Sequence, residues 1–98
     1  MSEVYGRRLR RLRFERGQSL LAFATQLELS AALVSEVERG ERIPSPETLE
    51  RVYQGTHDLG LYREGIVLRL MSDWYRLSIP EELAVAMARQ ITRHLEVV

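Results

Sequence analysis

The stretch SLLAFATQLELSAALVSEVERG, residues 19–40, decides how the chain is built. Ser19 stands ahead of an apolar periodicity and can cap a helix running to about Leu27, with Phe23, Ala24 and Leu27 facing inward. Glu28 and Leu29 leave room only for a tight turn before Ser30, a second capping serine. From there a helix over Ala31 to Arg39 presents Val34 and Val37 on one face until Gly40 stops it. Two helices this short, joined by so tight a turn, must cross steeply. The small side chain of Ala24, in the middle of the first, lets their backbones approach.

Upstream, Leu9 and Leu12 among Arg7, Arg8, Arg10, Arg11 and Arg13 predict a helix with a narrow apolar stripe and a basic outer face, ended by Gly17. Downstream, Ile43 to Pro46 reads as a rigid connection. Its Ser45-Pro46 pair suits the N-cap and first turn of a fourth helix carrying Leu49, Val52 and Tyr53, closed by Gly55. From Asp58, the spacing of Leu59, Tyr62, Ile66, Leu70 and Trp74 predicts a fifth helix, its stripe read as core rather than as a ligand cage. A last helix opens at Ser78, Pro80 and Glu81, a capping-box spacing, and repeats Leu83, Met87, Ile91 and Leu95 every fourth residue. No strand pattern competes, so the expected class is all-α, five helices plus one at the C-terminal end.

At 98 residues, 45% apolar and 29% charged, the chain has the composition of one folded domain, neither disordered nor fibrous. It has no cysteine, which excludes a disulfide framework, a thiolate nucleophile and a cysteine-held zinc. The longest apolar run, Leu83 to Ala88, is far shorter than a membrane span, and no apolar stretch accompanies the N-terminal arginines as a secretory signal requires. No membrane association and a cytoplasmic location are expected. Net charge is zero, but residues 1–16 carry six arginines against Glu3 and Glu15, net +4, whereas residues 43–98 carry six arginines against eight acids, net −2. Any polyanion is therefore expected at the N-terminal half. His57 and His94 have no companions at metal-ligand spacing, and Ser72, Asp73 and the histidines are not spaced as a nucleophile beside a base. Neither metal, cofactor nor enzymatic activity is expected. His57 and Asp58 are read as loop and cap residues.

The steeply crossed pair is a helix-turn-helix arrangement, and from about Leu9 to Leu49 the sequence resembles the Cro and phage-repressor type, or XRE-like, family. The resemblance is carried by Leu12-Arg13, Gly17, Ser19, Phe23-Ala24, Leu27, Leu29-Ser30, Val34, Val37-Glu38-Arg39-Gly40 and Pro44-Ser45-Pro46-Glu47-Thr48-Leu49. It implies a five-helix domain whose third helix enters the major groove of double-stranded DNA while the second offers backbone amides to a phosphate. It implies a scaffold ion pair between Arg13 and Glu38. It assigns base reading to Ala31, Ala32, Leu33 and Glu36, and phosphate contact to Ser19, Leu20, Ser30, Arg39 and Arg42. The first-helix arginines are read either as phosphate contacts or as a solvated basic face; at most two or three of the six can face DNA, since neighbours point in different directions, and Arg10 is the one assigned to phosphate.

The chain departs from the family pattern where glutamine commonly opens the second helix and polar residues line the third. Alanine and leucine can touch thymine methyl groups and Glu36 can accept from a cytosine amino group. The bidentate arginine-guanine and glutamine-adenine contacts cannot come from these positions. Glu28 replaces the usual turn glycine. Leu20, Leu21 and Leu33 are thus either packing residues or an apolar patch for a protein partner.

The expectation is a sequence-specific, repressor-like transcriptional regulator that binds operator DNA as a homodimer. Residues 1–58 form the helix-turn-helix core, and residues 59–98 the dimerising extension through Leu83, Met87, Ile91 and Leu95. The alternative is an adaptor, antirepressor or inhibitor that uses the same fold as a protein-docking surface.

Overall fold

The computed structural model describes residues 2–76, with positions 86, 89, 90 and 93 beyond them. Within residues 2–76 five helices follow one another: α1 Ser2–Glu15, α2 Leu20–Gln26, α3 Ala31–Glu38, α4 Pro46–Thr56 and α5 Leu59–Arg76. The fold is all-α. Apart from Ala86, Arg89, Gln90 and Arg93, which are helical, the predicted helix over Ser78 to Leu95 lies outside the described residues.

The helix starts are those that capping chemistry dictates. The hydroxyl oxygens of Ser19, Ser30 and Ser45 accept from the amides of Ala22, Leu33 and Thr48 at 3.1, 3.1 and 3.2 Å. Asp58 Oδ1 accepts from the Leu61 amide at 3.0 Å at the head of α5, and His57, at φ 56°, ends α4 in the left-handed conformation.

α1 packs against α3 and α5, α2 against α3, and α4 against α5. One core results. Phe23, Ala24 and Leu27 of α2, Val34 and Val37 of α3, Leu49 and Val52 of α4, Tyr5 and Leu9 of α1, and Leu61 and Leu68 of α5 are all buried in it.

Two apolar faces differ from their sequence reading. α1 begins at Ser2, well before the arginine run, and its buried line is Tyr5, Gly6, Leu9 and Arg13, with Leu12 only half-buried. Gly6 explains the face: a Cβ there would overlap the carbonyl oxygen of Val37, so α1 meets the α3 backbone where only hydrogen fits. On α5 the buried residues are Leu61, Gly65 and Leu68 rather than the stripe from Leu59; Leu59 is 42% exposed, while Tyr62 and Ile66 pack on the core from one side. A Cβ at Gly65 would overlap the Leu49 side chain, so the glycine marks the line of closest approach between α5 and α4. The sequence reading takes the neighbouring line because α5 carries apolar residues on several sides.

Candidate nucleic-acid interface

The axes of α2 and α3 are bent by 109° from one another. That angle lies within the range of roughly 90–120° that defines a helix-turn-helix. The turn between them is held from two sides. Glu28 takes φ 58°, the left-handed region that a side chain adopts at a cost of roughly 1–2 kcal/mol. Its carbonyl oxygen accepts from Arg51 Nη1 of α4 at 2.7 Å. The Leu29 amide donates back to the Ala24 carbonyl at 2.9 Å.

Behind the unit, Arg13 and Glu38 meet fork to fork, Nε to Oε2 at 2.8 Å and Nη2 to Oε1 at 3.0 Å, with side chains only 11% and 5% exposed. Arg13 Nη1 also donates to the Gln18 carbonyl at 3.2 Å, joining the end of α1 to the segment before α2. The hydrogen bonds to Glu38 raise the Arg13 pKa further, so this guanidinium is permanently charged.

Among the residues assigned to base reading, Ala32 is exposed and Ala31, Leu33 and Glu36 are half-buried. Ala31 and Leu33 rest partly on the core, as do Leu20 and Leu29. The three leucines considered for a partner patch therefore separate: Leu20 and Leu33 are drawn inward, and Leu21 stands out at 69% exposure.

Among the phosphate candidates, Ser19 and Ser30 are exposed at the two helix starts and spend their hydroxyls on capping. Arg10 is exposed on α1, its guanidinium 5.4 Å from the ring centroid of Phe14, while Arg13 lies 4.7 Å from the same ring. Phe14, itself 58% exposed, is thereby flanked by two cations.

Arg39 and Arg42 are both exposed and both hold carboxylates. Arg39 donates from Nε and Nη2 to the two oxygens of Glu41, each at 2.9 Å, and from Nη1 to the Ser35 hydroxyl. Arg42 Nε donates to Glu36 Oε2 at 2.6 Å. The hydrogen bonds from Arg39 hold the Glu41 carboxyl below its usual range, so that acid stays ionised at neutral pH. Leu83, Met87, Ile91 and Leu95 lie outside the described residues.

Sequence reading missed the polar clamp around the turn. Arg16 donates to the carbonyl oxygens of Gly55 and Thr56 at 3.2 and 3.4 Å, and Gln26 Nε2 to that of Gly55 at 3.2 Å. Gln18 Nε2 donates to Gln26 Oε1 at 2.6 Å, and Arg51 reaches Glu28 as described. The one sequence signal for any of these was the i,i+4 spacing of Glu47 and Arg51, which marks a local ion pair but not the contact with the turn.

A helix-turn-helix domain model matches residues 4–57, the span from α1 to the end of α4. The chain belongs to this helix-turn-helix family, of the XRE-like kind that its motifs resemble. It is 37% identical over 49 residues to YazB of Bacillus subtilis (strain 168), described as an uncharacterised HTH-type transcriptional regulator; the match spans 50% of this chain and 71% of that protein. No solved structure matches the chain significantly. Among the described residues no single helix is long and apolar enough to cross a membrane.

Proposed function

We propose that the chain is a sequence-specific DNA-binding transcriptional regulator, repressor-like, acting in the cytoplasm and binding operator DNA as a homodimer. It works by recognition rather than catalysis. The observation that carries this reading is the 109° crossing of two serine-capped helices. Such a crossing lets the second helix lie in a major groove while the first spans the phosphate backbone. The likeness to a protein named as a transcriptional regulator supports it.

In this reading Ala31, Ala32, Leu33 and Glu36 face base edges. Arg10, Ser19, Ser30, Arg39, Arg42 and the amide of Leu20 face phosphates. One eight-residue helix covers too little DNA for operator specificity, so the reading pairs two copies through residues 59–98, with Leu83, Met87, Ile91 and Leu95 at the contact. Binding of a random-sequence duplex, followed by fluorescence anisotropy as salt rises, tests it: phosphate-based affinity must fall steeply with log salt, and salt-insensitive or absent binding rejects it. Sedimentation of the intact chain and of Met87→Glu with Ile91→Glu tests the dimer; an intact chain monomeric at high micromolar concentration rejects that part.

A second reading keeps the fold but makes the α2–α3 face a docking surface for another regulator. It is favoured by the exposed Leu21 and by the carboxylates already seated on Arg39 and Arg42. The same salt series separates the two.

A further inference from the structure

Four charged residues converge at the end of α3, and the backbone brings them there. Gly40 turns the chain in the left-handed conformation at φ 74°. The Glu41 amide donates to the Glu36 carbonyl at 3.0 Å, and the Gly40 amide to that of Val37 at 3.1 Å. These two bonds are the Schellman closure of a helix. The closure folds Glu41 back beside Arg39 and carries Arg42 back over Glu36. Arg39 then grips Glu41 with two parallel bonds of 2.9 Å, and Arg42 grips Glu36 at 2.6 Å. Two of the three guanidinium groups assigned to phosphate, those of Arg39 and Arg42, are thus neutralised by carboxylates from α3 or just beyond it.

We propose that Glu36 and Glu41 set the strength of DNA binding by occupying Arg42 and Arg39, so that phosphate must displace a carboxylate from each arginine. This rests on the DNA-binding reading above and assigns its affinity-determining residues. The exchange changes the energetics in two ways. Each arginine gives up a charged acceptor to gain one, which removes most of the benefit of the new contact. The displaced carboxylate then stands close to the phosphate and repels it, or draws a cation from solution. Fewer counterions are therefore released than the number of arginines suggests, and wild-type affinity, while still falling as salt rises, falls less steeply than it would with Arg39 and Arg42 unpaired.

Three of the four side chains are solvent-exposed and Glu36 is half-buried, with side-chain exposures of 52% and 56% for Arg39 and Glu41 and 57% and 35% for Arg42 and Glu36. Exposed pairs contribute little to stability, so neutralising the acids leaves the fold intact.

The test compares wild type, Glu36→Gln, Glu41→Gln and the double variant by anisotropy on a random-sequence duplex, from about 50 to about 300 mM salt, with melting temperatures in parallel. Each freed arginine is expected to steepen the plot of log affinity against log salt by about 0.9, which for lines that meet at about 1 M salt is about eightfold tighter binding at about 0.1 M. Melting temperatures should not change. Adding Arg42→Met to Glu36→Gln, or Arg39→Met to Glu41→Gln, should abolish the respective gain.

Wild-type binding with unchanged affinity and slope in the glutamine variants overturns the inference alone, and a gain that survives removal of the arginine overturns it too. Absence of binding by every variant overturns the DNA reading and this inference with it.

Discussion

Arg13 and Glu38 form the one ion pair among the described residues in which both partners are buried, two parallel hydrogen bonds of 2.8 and 3.0 Å tying α1 to the end of α3. Removing one partner strands the other charge away from water. Arg13→Ala or Glu38→Ala should therefore cost about 3–5 kcal/mol. Arg11→Ala, which removes a largely exposed pair with Glu15 at 3.7 Å, should change stability by no more than about 0.5 kcal/mol. Urea unfolding of the three variants decides it, and equal midpoints for Arg13→Ala and Arg11→Ala would show that the buried pair carries no such load.

Gly6 and Gly60 both lie in helices but should respond oppositely to alanine. At Gly6 the new methyl overlaps backbone carbonyls of α3, which cannot yield as a side chain can. Gly6→Ala should destabilise by roughly 1–3 kcal/mol despite the better helix propensity of alanine. At Gly60 the nearest atom is Asp58 Oδ1 at 3.5 Å, an ordinary contact, so Gly60→Ala should be neutral or stabilising by up to about 1 kcal/mol. Thermal melts that rank the two variants the other way round would contradict the close approach of α1 and α3.

The left-handed Glu28 makes the turn a place where stability can be gained. Glu28→Gly should raise stability by about 0.5–1 kcal/mol, because glycine takes φ 58° without steric cost but loses more entropy on folding. Arg51→Met should lower it by about 1 kcal/mol through loss of the 2.7 Å bond to the Glu28 carbonyl. Chemical denaturation measures both; a destabilised Glu28→Gly would mean that its side chain has a role beyond the turn.

Tyr5 is 2% exposed, and its hydroxyl has no hydrogen-bond partner among the described residues. Burial first, then the charges of Asp58 and Glu64, push the phenol pKa up. The folded value is above the unfolded one, so the stability linked to the neutral phenol is complete below about pH 10 and is lost as pH rises beyond it. Tyr5→Phe should lose this alkaline component. At neutral pH it should equal or exceed wild type by up to about 1–3 kcal/mol, since no buried hydroxyl remains. A stability profile above pH 10 that is identical in the two proteins would rule the assignment out.

The helix-turn-helix was legible in the sequence because the features that define it act over three to five residues. A serine caps the amide three positions on, a glycine ends a helix at its own φ, and Phe23, Leu27, Val34 and Val37 fall inward by helical spacing. Arg13 and Glu38 could be paired before any coordinates, but only through the family resemblance. What the tertiary structure alone decided is where long side chains and near-equivalent faces end up. α5 carries apolar residues on several sides, and only the contact of Gly65 with Leu49 selects the Leu61–Gly65–Leu68 line. Fourteen arginines face fourteen acids, and spacing assigns a partner only within a helix turn. The bonds from Arg51 to Glu28, Arg16 to Gly55 and Arg42 to Glu36 cross a turn or join separate helices. Such contacts exist only once the chain reversals at Glu28, Gly40 and His57 have placed the helices in space.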